Sequence, residues 1–241
     1  EVRAQAGFPI HRAWDLGIGD STAIWFFQII GREIHILSYY ESHGIGIDQY
    51  AIEIKRQVAE MAREARNALL IAGDHDLVYI ERAVAEMHAG TDFVPHDAQA
   101  RELGNKGKTR VEAMVEEGLD PDVVLLHRVE DGINAARRIL GKSWFDERRC
   151  QRGLENVRHY RAEWDDKKKT FADKPEHDFS SHGADALRYL AVAYEEQTIA
   201  PKPKKAKHFE IGADDRVNEV TIDDLWALRD GDADNPLGYA H

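Results

Sequence analysis

Thr22-Ala23-Ile24-Trp25-Phe26-Phe27-Gln28-Ile29-Ile30-Gly31-Arg32-Glu33-Ile34-His35-Ile36-Leu37-Ser38-Tyr39-Tyr40 is the stretch that decides the fold. Residues 22–30 are rich in β-branched and aromatic side chains, and from Glu33 onward Ile34, Ile36 and Ser38 alternate with His35, Leu37 and Tyr39, the period of a strand. Gly31-Arg32 between them is a tight-turn signal, so 22–40 is expected to be an antiparallel hairpin. Just before it, Ala13-Trp14-Asp15-Leu16 reads as a short strand joined to the hairpin through the loop Gly17-Ile18-Gly19-Asp20.

Downstream of the hairpin the period changes. Ile54, Val58, Met61 and Ala65 form one apolar stripe within 48–69, opposite Lys55, Arg56, Glu60 and Arg63, which predicts a long amphipathic helix. The stretch 69–72 is ambiguous between helix end and strand, and 77–87 is helical in pattern. Short apolar runs at 91–95 and 123–126 predict buried strands, with helices over 131–140 and 146–164 following them. Ser180-Ser181 caps a last helix reaching about Glu196, with Leu187, Leu190, Ala191 and Tyr194 on its apolar side. Strands linked by crossover helices add a parallel portion to the opening hairpin. The expected fold is α/β, a mixed sheet with helices on its faces, over residues 1–198. Residues 199–241 read as a Pro/Lys linker and acidic tail, with one short helical candidate at 222–229.

Composition narrows the function classes. With 241 residues and 43% hydrophobic content the chain can bury one sizeable core. A single cysteine, Cys150, excludes an internal disulfide framework and a cysteine-cluster zinc site and fits a reducing compartment. Every apolar run is interrupted by charge well before the roughly 20 residues that span a bilayer, and no signal segment opens the chain, so no membrane association is expected. The opening residue Glu1 suggests a piece of a longer polypeptide. The net charge of −12 argues against a nucleic-acid coat protein, but from 209 to 241 nine acidic residues face only Arg216 and Arg229, so the tail alone carries −7. The body is closer to neutral and holds two basic clusters, one around Arg101, Lys106, Lys108 and Arg110 and another scattered over 137–169. Solvated surface and phosphate contact explain these equally well.

Three aspartates sit where a divalent cation would suit them: Asp15 at the first strand, Asp97 just past the 91–95 strand, and Asp185 in the opening turns of the last helix. A buried, unpaired carboxylate is costly unless it is paired or binds metal. Taken singly, Asp15 also suits a turn, Asp97 an Asx turn after Pro95 and Asp185 the helix dipole. Taken together they suit Mg²⁺ or Mn²⁺, since hard oxygen donors select such ions. Two ions about 3.5–4 Å apart would clamp the attacking and leaving oxygens of a phosphodiester. Gly17 would allow substrate to approach the strand end. His182, one turn from Asp185, is an accessory candidate or a structural cap; His96 and Asp178 are weaker candidates.

The order Asp15-Leu16-Gly17, hairpin, Pro95-His96-Asp97-Ala98, and Ser181-His182-Gly183-Ala184-Asp185-Ala186-Leu187-Arg188-Tyr189 resembles the nuclease domain of bacteriophage terminase large subunits, a ribonuclease H-like fold. The resemblance covers about 10–195, and 178–185 is its most specific element. It implies cleavage of double-stranded viral DNA during genome packaging, with Asp15, Asp97 and Asp185 as ligands of two Mg²⁺ or Mn²⁺ ions. An upstream ATPase motor domain, a portal and a small terminase subunit would be its partners, in the cytoplasm of an infected bacterial host. Stretch 69–87 departs from the pattern as extra sequence.

Three rival features weigh against it. Residues 104–109 imitate the end of a phosphate-binding loop, but Glu102 occupies a place where that loop needs glycine. Lys106, Lys108 and Arg110 there are candidates for DNA phosphate contact. Asp74-His75-Asp76 would serve a metallophosphatase, although the opening strand lacks the Asp-x-His such enzymes carry. An inert packaging-assembly module would explain the charged surfaces but not the aspartates.

Overall fold

The computed structural model describes residues 2–17, 20–101, 107–165, 169–176 and 178–199. The hairpin forms as its pattern dictates: β2 (Ser21–Ile30) and β3 (Glu33–His43) pair antiparallel around Gly31, whose φ of 63° is the left-handed conformation that glycine adopts without strain. β1 (His11–Asp15) pairs antiparallel with β2 and parallel with β4 (Asp92–Val94), and β5 (Pro121–Val123) extends the parallel side. A strand too short for periodicity to reveal, β6 (Ser143–Phe145), lies parallel to β3 at the other edge. The six-stranded order is β5-β4-β1-β2-β3-β6, a mixed sheet flanked by helices.

Alternation along the central strands sorts two cores. Trp14, Ile24, Phe26 and Leu37 point to one face, where α1 (Ile47–Ile71) lays down Tyr50, Ala51, Ile54, Val58, Met61, Ala62 and Ala65. α2 (Leu77–Met87) and α3 (Arg110–Glu116) complete that layer through Met87 and Met114. Ala13, Trp25, Phe27 and Ile36 point to the other face, covered by α4 (Val129–Leu140) and by Ala186, Leu187, Leu190 and Ala191 of α6 (Ser181–Ile199). Stretch 69–72 ends α1 as helix and turn, with Gly73 at φ 87°.

Several segments differ from the sequence expectation. The helix predicted over 146–164 is only α5 (Gln151–His159). Before it, Asp146 makes a turn, its carboxylate accepting the Arg149 N–H at 2.7 Å and its carbonyl the Cys150 N–H at 2.9 Å. After it, the chain leaves as a hairpin, β7 (Ala162–Asp165) and β8 (Thr170–Pro175), so Trp164 is half-exposed on a strand rather than inside a helix stripe. The 123–126 strand is shifted to 121–123: Val124 still donates to Val94 at 2.9 Å, and beyond it Leu125 and Leu126 turn out to solvent. α3, absent from the sequence expectation, carries a sequence signal in its capping box: Thr109 and Glu112 exchange side-chain and backbone hydrogen bonds. The linker and tail proposed for 199–241 lie outside the described residues, apart from Ile199, the last residue of α6.

A buried ion pair braces the opposite end of β4. Asp92, fully buried, accepts from Arg12 through both carboxylate oxygens, from Trp14 Nε1 at 2.9 Å and from the Asp120 N–H at 3.0 Å. Four donors offset the desolvation of that charge.

Candidate active site at the carboxyl edge of the sheet

Asp15 is the last residue of β1 and shares the α6 face of the sheet with Ala13, because Trp14 between them points the other way. α6 begins directly opposite. Asp178 precedes it, its carboxylate accepting the Ser180 N–H at 2.8 Å and its carbonyl the Ser181 N–H, so Asp178 is held low in pKa by its bonds to Ser180 and serves a turn. The first turns of α6 bring His182 and Asp185 to β1. His182 Nδ1 stands 3.1 Å from Asp15 Oδ2, and its Nε2 stands 3.2 Å from Asp20 Oδ2 in the β1–β2 loop. Asp185 Oδ1 accepts from Tyr160 Oη at 3.2 Å and from Arg188 Nε at 3.0 Å, with Arg188 Nη2 2.8 Å away as an ion pair.

Electrostatics tie the groups together. Burial pushes the Asp15 carboxyl above its ordinary range; the His182 hydrogen bond opposes this and the Asp185 charge adds to it. The same hydrogen bond raises His182, against burial. The Tyr189 hydroxyl is pushed up to about 12, first by burial and then by the charges of Asp15, Asp185 and Asp97 among others. Tyr189 therefore senses all three sequence-predicted carboxylates. Asp97 reaches this edge from β4: the parallel register Ala13↔Phe93 sets Asp15 level with Pro95, and a 3₁₀ turn over His96–Gln99 follows, with His96 and Asp97 exposed on it and Ala98 buried.

The fit to a divalent metal is partial and chemically specific. Among the described residues no group of three or more His, Cys, Asp and Glu side chains is gathered tightly enough to hold an ion. The nearest carboxylates are nonetheless held by one oxygen each. Asp15 uses Oδ2 and Asp185 uses Oδ1 for the contacts above, and Asp97 is exposed, so oxygens remain at the rim for a hard cation.

A second layer escaped the sequence reading. The register Asp15↔Ala23↔Glu41 runs a row across three strands on the α6 face, with a small alanine between two acids. Glu41 accepts from Tyr39 Oη at 2.7 Å, Asn156 Nδ2 at 3.1 Å and Arg152 Nη2 at 2.9 Å. Burial, then Glu41, raises the Tyr39 hydroxyl. This network abuts Gly183, where a Cβ would lie 2.9 Å from Asn156 and 3.0 Å from Tyr39 Oη. Trp25 Nε1 donates to the Gly183 carbonyl at 2.8 Å. No local motif marks these residues, because the contacts that define them span more than a hundred positions.

Other candidates fall elsewhere. Gly17 is required by the chain itself, since a Cβ there would lie 2.4 Å from the Ser21 carbonyl oxygen. Arg110 is turned inward and donates to the Leu16 carbonyl at 3.0 Å, bracing the end of β1. Lys108 pairs at the surface with Glu116, and Lys106 lies outside the described residues. Asp74, His75 and Asp76 lie beyond the far end of α1: Asp74 accepts the Asp76 N–H at 3.1 Å and Asp76 caps α2 through the Tyr79 N–H at 3.0 Å. Turn formation accounts for that trio. No described helix is long and apolar enough to cross a membrane.

No protein-family model and no curated protein matches the sequence. Solved structures do match it. The large terminase of a thermophilic bacteriophage aligns with a TM-score of 0.52 at 16% identity over 79% of this chain and 41% of that one. The large terminase nuclease domain of bacteriophage SPP1, solved with bound Mn, aligns at 0.50 and 14% identity over 78% and 86% of the two chains. The P22 large terminase nuclease domain aligns at 0.50 and 15% over 80% and 88%. The match thus takes in about two fifths of the thermophilic phage's terminase and most of the two nuclease domains. The six-stranded mixed sheet with helices on both faces is the ribonuclease H-like fold of phage large terminase nuclease domains.

Proposed function

We propose that the chain is a metal-dependent endonuclease for double-stranded DNA, the nuclease portion of a phage packaging terminase. The carrying observation is that Asp15, from the first strand, meets His182 and Asp185, from the last helix, at the sheet edge where Asp97 also emerges. Asp15, Asp97 and Asp185 would hold the ions, Mg²⁺ or Mn²⁺ and two in number; the Mn bound by the SPP1 domain supports that choice of metal. When bound, such ions make water nucleophilic near neutral pH and stabilise charge on the phosphate.

The residues prepare the site in distinct ways. His182, with both ring nitrogens engaged by carboxylates, is a positioning residue that fixes the Asp15 rotamer and leaves Oδ1 for a ligand. Tyr160 and Arg188 hold Asp185 through Oδ1 and leave Oδ2. Asp97, on a turn rather than a strand, can close in from the side. Lys106 and Lys108, ahead of α3 in the chain, would contact phosphates without reading sequence. An ATPase motor domain upstream, the portal and the small terminase subunit as partners, and the infected bacterial cytoplasm as location, belong to the same proposal, as does a structured domain ending near 198 with an appended tail.

Incubation of the chain with supercoiled plasmid and Mg²⁺ or Mn²⁺ tests it. Nicking and linearisation by the parent, lost by about a hundredfold or more in Asp15→Ala, Asp97→Ala and Asp185→Ala variants that stay folded, are expected. Cleavage retained by all three variants would refute the assignment.

A further inference from the structure

Arg188 is nearly buried, with a side-chain exposure of 8%, and yet it carries a full charge into a site proposed for cations. Its Nε donates to Asp185 Oδ1, and its Nη2 stands 2.8 Å from the same oxygen as an ion pair. Tyr160 donates to that same oxygen, so two hydrogen bonds and the ion pair converge on Oδ1. The stem of Arg188 rests against Gly132 of α4, where even a Cβ would stand 3.4 Å from the Arg188 Cβ, and the guanidinium lies 5.9 Å from the Tyr189 ring. A guanidinium on an i, i+3 helix pair ordinarily sits in solvent and contributes little. This one is walled in between two helices beside carboxylates that would otherwise repel one another.

We infer that Arg188 is the resident counter-cation of the carboxylate site: it holds Asp185 in place while the site is metal-free and, by remaining beside the ions, sets how weakly they bind. The inference rests on the metal-site reading above and adds the control of metal affinity to it. Asp185 already has one positive charge beside it, so a dication entering at Oδ2 meets a partly neutralised ligand and a cation a few ångströms away. Both effects lower affinity, while the fixed rotamer preserves geometry. A purely structural i, i+3 pair would instead leave metal affinity unchanged when replaced by a neutral residue that keeps the fold.

The test is calorimetric titration of the whole chain with Mn²⁺ at low ionic strength, together with thermal melting with and without saturating Mn²⁺. Arg188→Met should bind Mn²⁺ about fivefold or more tightly than the parent. It should also melt lower without metal and gain more from added Mn²⁺. Arg188→Lys, which keeps the charge, should stay within about twofold of the parent. Arg188→Gln keeps a hydrogen-bond donor without the charge and carries the same expectation as Met should that variant not fold. Unchanged or weaker Mn²⁺ binding in both neutral variants, with the parent binding normally, overturns the role of Arg188 and leaves the nuclease reading intact. A parent that neither binds Mn²⁺ nor cuts plasmid sinks both.

Discussion

Asp15 and His182 are 167 positions apart in the chain and 3.1 Å apart in the fold. Their contact stitches the first strand to the last helix, and its strength depends on pH. His182 is raised above its ordinary value chiefly by the Asp15 hydrogen bond, so its contribution is fully present below the ordinary histidine pKa and is lost as pH rises through the raised one. His182→Gln should therefore cost about 1–2 kcal/mol near pH 6 and little at about pH 9. Urea titrations of metal-free protein at the two pH values measure it; an equal loss at both would show that the imidazolium is not the stabilising form.

The Arg12–Asp92 pair sets a structural aspartate apart from the proposed metal ligands. Asp92→Asn leaves a buried guanidinium without its counter-charge and should destabilise by about 3–5 kcal/mol. At temperatures where the variant remains folded, its Mn²⁺ affinity should match the parent's. A several-fold drop in affinity would instead mean that the two carboxylate systems communicate.

His11 is placed so that acid should weaken the fold. Burial holds its imidazole down to about 4, and its Nδ1 accepts the Thr91 N–H at 3.1 Å beside Phe27 and Phe93. A depressed histidine gives stability that is whole above its unfolded value and drains away as pH falls through the folded one. The window runs from pH 6.5 to about 4 and is worth about 3 kcal/mol. His11→Asn, which keeps an acceptor for Thr91 but does not titrate there, should flatten the decline in urea midpoint across that window, and an unaltered slope would place the acid sensitivity elsewhere.

Gly183→Ala should harm activity more than stability. The new Cβ would press on Asn156 and Tyr39 and push the first turn of α6, which carries His182 and leads into Asp185. About 1–3 kcal/mol of stability should be lost, with plasmid cleavage down about tenfold or more. Adding Asn156→Gly should recover part of both, and a double-mutant cycle with no coupling would show that the contact is not the cause.

Much of this architecture was legible because it is local. The alternation of Ile34 and Ile36, the stripe Ile54, Val58, Met61 and the segment 178–185 are patterns within a few turns of chain. What stayed hidden is non-local or short. The helix expected over 146–164 stops short because the chain turns away at Tyr160, whose extended backbone ends α5. Three-residue β6 offers no period at all. Arg12 and Glu41 look like surface charges until partners arrive from 80 and 111 positions away. Asp185, Arg188 and Tyr189 stood together in one quoted segment, but the bond that Tyr160 gives Asp185 from 25 positions upstream left no local trace.

The sheet is long in the middle and stunted at its rims: β2 and β3 run 10 and 11 residues, β5 and β6 only three each. Past β6, the outer side of β3 is met by the Arg149 carbonyl, which accepts the Tyr39 N–H at 3.2 Å. Neither border offers a stranger's backbone enough ladder to zip onto, so copies crowded together at high concentration should resist fibre-like growth despite a core strand as apolar as 23–27.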